Sequence, residues 1–416
     1  MDSITHIALG AAIGDAMLGR KAGYKAALWG VAISTLPDLD VLLYPFLDAS
    51  SELRFHRGFT HSFLFLILAS PILGTLINRI HKKDKVGWRS WTMLSFWTLL
   101  SHIIIDIPTS FGTQVFEPFS SYLVTTDSMF IIDPVFTLIL VVSVVIALFQ
   151  RRHPHRRYLS TRVGLVLAAL YLVGGGVAKL WVNSVFDSSF REQYGAYERM
   201  KTIPGPFTTL MWMGHMERND SLYTATFSFF DDDRDLEFTG VSKNSHLLTP
   251  YRGDYPLETL LWFTMGYYKI EQSEQGEIHL HDIRFARTDY WWTDDADYVW
   301  SNRLILDEDS TRVVDFHRTV LLFDLNLDVE DSQMLWRRFR GEEYVDSDSR
   351  EGSREGTDDG VTETVRTGTE QEVRSRIRGD GDLKRGDGAV QTARSFWQPD
   401  LDSGSCLVAP LALFKK

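Results

Sequence analysis

Cysteine is almost absent: the 416-residue chain holds one, Cys406. No disulfide can form within the chain, and no cysteine-based zinc site can be built. The common catalytic signatures are missing as well. There is no G-x-S-x-G, no H-E-x-x-H and no P-loop, so serine-hydrolase, zincin and nucleotide-hydrolase readings lose support. The opening residues Met1-Asp2-Ser3-Ile4-Thr5-His6 carry no basic stretch ahead of an apolar core. The expectation is that no secretory signal is cleaved and that insertion relies on the membrane segments themselves. Positive charge is in deficit, with 43 Lys and Arg against 55 Asp and Glu and a formal charge of -12, most of it in the second half. An acidic surface repels backbone phosphates, so nucleic acid is not an expected partner.

A mean hydropathy of -0.12 suggests an ordinary soluble protein, but the average conceals two unlike halves. Residues 1–182 are dominated by apolar runs. The strongest, Met129 to Phe149, has about the 20 residues that cross a bilayer. Phe63 to Ile80, Trp91 to Ile107 and Val163 to Trp181 are similar, and four such runs in succession predict membrane spans rather than buried soluble helices. Two shorter helices are expected before them, Ile7 to Leu18 and Tyr24 to Leu36, both rich in the Ala and Gly that suit close helix packing.

Basic residues gather in three connections. Arg20, Lys21 and Lys25 lie between the short helices. Arg79, Lys82, Lys83, Lys85 and Arg89 follow the third segment, and Arg151, Arg152, Arg156, Arg157 and Arg162 follow the fifth. Even numbers of crossings separate these loops, so all three fall on one side, which the positive-inside rule makes cytoplasmic.

After Trp181 the chain turns polar. Strands are expected near Leu222 to Phe230, Leu260 to Ile270, Glu277 to Arg287 and Val313 to Leu325, with Ile278 to Phe285 alternating as a half-buried strand does. Asn and Gly turns are sparse and leave the topology unread. From about Gly341 to Gln398 almost no apolar residue occurs, a composition that predicts disorder. The expected domains are a helical bundle over 1–182, an extracytoplasmic region over 183–340 and a disordered acidic tail over 341–416.

Placed on this map, the His and Asp residues converge. His6 starts the first helix, and Asp38 and Asp40 end the second, where Pro37 helps to stop it. His56 and His61 precede the third segment. His102 and Asp106 share a face late in the fourth, and Asp133 begins the fifth. The crossing count brings all of them to the extracytoplasmic face. Imidazole and carboxylate donors together suit zinc or manganese, and clustered carboxylates need cations to offset their repulsion. A bound metal would make hydroxide from water near neutral pH. Arg54 and Arg57, beside His56, could position an anionic group. Blander readings stand beside these. Asp40 and Asp133 serve equally as helix caps. Asp15 reads as structural, and His153 and His155 as solvated. His279 and His281 share one strand face, and His317 lies in the same outer region. The His102/Asp106 pair is hardest to set aside, because ionisable groups inside an apolar span are costly.

These pieces resemble the YdjM-like family of membrane-bound, metal-dependent hydrolases. The likeness runs through Asp2-Ser3-Ile4-Thr5-His6, Pro37-Asp38-Leu39-Asp40 and His56-Arg57-Gly58-Phe59-Thr60-His61-Ser62. It continues in His102 to Asp106, Gly112-Thr113-Gln114, Pro118-Phe119-Ser120 and Phe130 to Pro134, and Pro204 to Trp212 is similar to a segment of longer members. The order of His and Asp is also loosely similar to zinc-dependent phospholipase C and P1-type nucleases. The resemblance implies hydrolysis, with a divalent metal (zinc, or manganese) on His6, Asp38, Asp40, His56, His61, His102 and Asp106 and with Asp133 bridging or behind them. Asp38, His61 and Asp106 are the expected catalytic residues, while Gln114 and Ser120 are expected to line the substrate pocket.

The expected architecture is an α-helical multi-pass membrane bundle of about six helices, followed by an extracytoplasmic α+β or mainly β domain. Its expected setting is a prokaryotic plasma (inner) membrane, its partners membrane lipids and a small-molecule or lipid substrate, with a phosphoester as the candidate chemistry. The competing reading is a non-enzymatic metal-binding carrier or envelope scaffold.

Overall fold

Asp2 begins the bundle by accepting the backbone N–H of Thr5 at 3.0 Å, which caps helix α1 (Ser3–Ala22). Gly23, at a φ of 63°, breaks the chain before α2 (Tyr24–Ser34). In this computed structural model residues 1–150, 153–287, 297–321 and 336–341 are described. Helices α3 (Ala49–Phe55), α4 (Phe63–Ile80), α5 (Trp88–Asp106), α6 (Pro134–Phe149) and α7 (Pro154–Tyr194) follow in order. Ser62 caps α4 through Phe65, and Asp133 caps α6 through Phe136 with Pro134 in the first turn. Gly10 of α1 and Gly30 of α2 meet backbone to backbone, an approach that any side chain would block.

Among the described residues, α4 and residues 155–194 of α7 are long and apolar enough to cross a membrane. The helix α2 and the 3-10 stretch Pro37–Phe46, bent by 42° at their junction, make a third candidate if counted as one span. That is fewer than the four spans the apolar runs suggested. The 16 residues of α6 reach only about 24 Å, short of a hydrocarbon core of roughly 30 Å. In α5 the apolar run is diluted by Arg89, Ser95, Thr98, Ser101, His102 and Asp106. The outer faces are nonetheless apolar: Ile67 and Ile72 on α4, Leu138 on α6, and Leu170, Val173 and Leu180 on α7 are all exposed. Such a belt on a water-facing protein would be an association hazard; on a membrane helix it meets lipid.

The 41 residues of α7 extend over about 60 Å, roughly twice the hydrocarbon thickness. The helix runs unbroken through residue 182, where the change in composition had suggested a boundary. Its polar continuation buries Val182, Phe186 and Phe190 against a four-stranded antiparallel sheet. That sheet comprises β1 (Arg199–Pro204), β2 (Met211–Arg218), β3 (Ser221–Ser228) and β4 (Thr239–Ser242), in that order. The β2–β3 hairpin turns on Asn219 and Asp220, both left-handed, which suits a tight turn between right-twisted strands.

A second four-stranded antiparallel sheet follows α8 (Tyr255–Phe263). It consists of β5 (Tyr268–Gln272), β6 (Ile278–Asp282), β7 (Trp300–Leu306) and β8 (Val313–Val320). The strand expected over Leu260 to Ile270 is thus half helix: Leu257, Leu260 and Phe263 fall three residues apart and bury one helical face. Strands expected near 222–230 and 313–325 correspond to β3 and β8, with 322–325 outside the described residues. The one expected over 277–287 stops at the end of β6, since Ile283–Phe285 form a 3-10 turn, and β1, β2, β4 and β7 had not been foreseen. Residues 342–416, including Cys406 and the tail expected to be disordered, lie outside the described residues.

Candidate metal centre

Chain direction places the N-terminal ends of α1, α4 and α6 and the C-terminal ends of α2 and α5 together. The basic connections meet at the other end, where Lys25 pairs with Asp84 at 2.6 Å and Arg157 reaches Asp15 and the carbonyl of Gly23. The convergence expected from the order of segments is therefore present as a spatial fact.

His6, Asp38, His102 and Asp106 offer ligand atoms within 4.8 Å of one another. His6 comes from the first turn of α1, and His102 and Asp106 from the last turn of α5, four residues apart. Asp38 lies in the 3-10 stretch after α2 rather than at the end of a helix, because Pro37 cannot continue the α-helical pattern. The Nε2 of His6 is 3.3 Å from Asp106 Oδ1 and 3.9 Å from Asp38 Oδ2. That of His102 is 3.3 Å from Asp106 Oδ2 and 3.6 Å from Asp38 Oδ1. His61 ends a short 3-10 turn before α4 and joins the same space. Its Nε2 is 3.0 Å from that of His102, 3.4 Å from Asp38 and 3.5 Å from Asp106.

These separations fit a shared cation. Donors about 2.1 Å from one ion stand about 3.0 Å apart at octahedral and about 3.4 Å apart at tetrahedral angles. The buried polar atoms agree, since His6 Nδ1 and Nε2 and Asp106 Oδ2 have no hydrogen-bond partner. His102 is also oriented for ligation: Nδ1 lies 2.7 Å from the carbonyl of Ser34, which only an N–H can satisfy. Its Nε2 lone pair is thereby turned into the cluster, the arrangement in which a second hydrogen bond fixes a ligating imidazole. Thr60 Oγ1 stands 3.0 Å from His61 Nδ1, and either atom can be the donor there. Ser34 and Thr60 had not been singled out as functional residues, and a backbone carbonyl leaves no mark in a sequence.

The side chains of His6, His61, His102 and Asp106 are wholly buried, whereas that of Asp38 is 27% exposed, so the cluster opens at Asp38. Arg57 closes another flank, with Nη2 at 3.2 Å from Asp106 Oδ1 and Nη1 donating to Thr109 Oγ1 at 2.8 Å. The α-amino group of Met1 also donates to Asp106.

The remaining expected ligands stand apart. Asp40 accepts the backbone N–H of Arg57 at 3.1 Å and pairs with His56 Nδ1 at 3.2 Å, forming a separate pair beside the cluster. Asp133 is a helix cap that accepts Tyr171 Oη–H at 2.8 Å on its other oxygen, which leaves its carboxylate occupied. The expected pocket residues face elsewhere: Gln114 donates to the carbonyl of Arg54 at 2.7 Å, and Ser120 accepts from the N–H of Tyr122. Arg54 donates to Thr259 and stacks over Trp262, away from the cluster. His153 and His155 are exposed. His281 faces Glu271 at 3.3 Å and His279 faces Glu277 at 3.7 Å, as two separate pairs.

Among proteins of known sequence, the Uncharacterized protein YfhP of Bacillus subtilis (strain 168) is 30% identical over 181 residues, 42% of this chain and 53% of that protein. The Inner membrane protein YbcI of Escherichia coli (strain K12) is 34% identical over 113 residues, 27% of this chain and 63% of its own length. The chain thus covers less than two thirds of either relative. No solved structure matches. Apolar helices and relatives agree on a membrane location. The helical half that carries the His/Asp group, residues 1–182, is matched by the model of the YdjM inner membrane protein family.

Proposed function

We propose that the chain is a membrane-bound, metal-dependent hydrolase acting at the extracytoplasmic face, with its metal on His6, Asp38, His61, His102 and Asp106. One observation carries this reading: five donors from four chain segments face one space that is buried except at Asp38. Three imidazoles with two carboxylates suit zinc first and manganese second. When bound, such an ion supplies Lewis acidity toward a phosphoryl or carbonyl oxygen and lowers the pKa of water.

The chain's own residues supply the rest. The Ser34 carbonyl holds the His102 ring in place. Asp38, alone of the five in meeting solvent, stands where a carboxylate oxygen could accept a proton from attacking water. A carrier would instead need ionisable groups spread through the bilayer. Asp15 is engaged by Arg157, and Lys179 donates to the carbonyl of Thr202, so the two such groups away from the cluster serve packing.

The test is hydrolysis of soluble and lipid phosphoesters by the detergent-purified chain, loaded with zinc or manganese. Activity should vanish with chelator and return with metal. Asp38→Asn should lower turnover by about a hundredfold or more. Activity that persists in a chain lacking both His102 and Asp106 would refute the proposal.

A further inference from the structure

Arg57 is unusual in three independent ways. Its backbone is left-handed, at a φ of 51°, a conformation that L side chains with a Cβ adopt at a cost. Its guanidinium is 4% exposed yet lies beside the cluster rather than in solvent. Its Nε is buried without a hydrogen-bond partner, although Nη1 and Nη2 are engaged by Thr109 and Asp106. The strained backbone is held from both sides, because Arg57 N–H donates to Asp40 and its carbonyl accepts from Gln114 N–H at 3.0 Å. The Asp40/His56 pair thus fixes the residue that carries the guanidinium. A buried donor set beside the cluster, with its Nε–H unspent, points to an anionic ligand.

Charge decides when that ligand can bind. Among the carboxylates and the guanidinium, Asp38 and Asp106 outnumber Arg57 by one negative charge. The α-ammonium of Met1 against Asp106 brings the group only to neutrality. A divalent cation reverses the sign. Held there, it would also take over the neutralisation of Asp106 and so free Nη2 of Arg57 to join Nε in a planar fork that matches two oxygens of a tetrahedral oxyanion.

Resting on the hydrolase reading above, we infer that Arg57 is the substrate-binding residue for a phosphoryl group, and that it becomes available only when metal draws Asp106 away. Phosphoryl binding and metal binding are then reciprocal, each tightening the other by the same factor.

The experiment uses the detergent-purified full chain, manganese followed by electron paramagnetic resonance, and methylphosphonate as the non-hydrolysable probe. In the wild type, saturating methylphosphonate should tighten manganese binding by about tenfold or more. Arg57→Ala should bind manganese at least as tightly as wild type when no phosphonate is present, since a competing cation is gone, and should show no tightening when it is added. Arg57→Lys keeps the charge but loses the fork, and most of the tightening should disappear. Acetate offers the same fork two oxygens but at most one negative charge, so it should tighten manganese binding less than methylphosphonate does. Equal tightening in wild type and Arg57→Ala would overturn the inference, as would acetate acting as strongly as methylphosphonate. If Arg57→Ala fails to fold, Arg57→Lys decides alone. A wild type that binds metal without coupling defeats this inference only, whereas one that takes up no metal defeats the hydrolase reading and this inference with it.

Discussion

Asp133 and Asp38 are the same residue type at the same end of the bundle, yet their neighbours give them different work. Asp133 spends both oxygens on capping α6 and on Tyr171, while Asp38 turns toward three imidazoles. Asp133→Ala should therefore cost about 1 kcal/mol of stability in thermal unfolding and leave metal content unchanged. In the sheet region, burial pushes the His215 imidazole down to about 3, and the nearby Lys201 adds to the effect. A histidine kept neutral in the fold takes up a proton on unfolding once pH drops below about 6.5. Stability is full above that value and falls as pH descends toward 3, with a loss of about 2 kcal/mol by pH 5. Denaturant unfolding at pH 7 and pH 5 should show this loss in the wild type and much less of it in His215→Gln. At this scale His6, Asp38, His102 and Asp106, which come together in the structure, were all among the residues singled out, and His102 and Asp106 stood out because ionisable groups late in an apolar run are costly. The sequence could not separate Asp133 or the Asp40/His56 pair from that cluster, since capping and ligation draw on the same side chains.

Elements are positioned by the contacts they make, and the α1–α2 junction shows how. A Cβ on Gly10 would lie 2.6 Å from Ser34 Cβ and would overlap the backbone of Gly30. Ser34 is also the residue whose carbonyl orients His102, so helix packing and ligand geometry share one contact. Gly30→Val should lower stability by about 1–3 kcal/mol and should weaken metal binding without touching a ligand, measured by melting temperature and metal content together. Helices with strong apolar runs were legible; the place of β6 was too, but not its alternation, because Leu280, His281 and Asp282 are all buried and the strand gives way to a 3-10 turn at Ile283. The helix α8 was read as strand because a short apolar run looks alike in both, and only the three-residue spacing of Leu257, Leu260 and Phe263 distinguishes them. The Asn219-Asp220 pair was a usable hairpin signal between β2 and β3 that went unread.

For the whole molecule, the ends of the bundle differ in charge as well as in chemistry: basic connections at one, the His/Asp group at the other. Orientation follows if the positive-inside rule holds. In a Cys406→Ser background, Ser120→Cys should react with a membrane-impermeant maleimide on intact cells, and Lys83→Cys should react only after lysis. The reverse pattern would place the cluster in the cytoplasm. Order along the chain was enough to foresee that the polar residues meet at one end, because alternating crossings dictate it. The length of α7 was not, since its polar half has no apolar run and gains its place by packing on the first sheet.

The shared metal is the claim on which the rest depends, and elemental mass spectrometry of the detergent-purified chain tests it most directly. Wild type should carry zinc or manganese, His102→Ala should carry almost none, and Asp133→Ala should match wild type. A wild type that stays metal-free after reconstitution, or a His102→Ala chain holding as much metal as wild type, would contradict it.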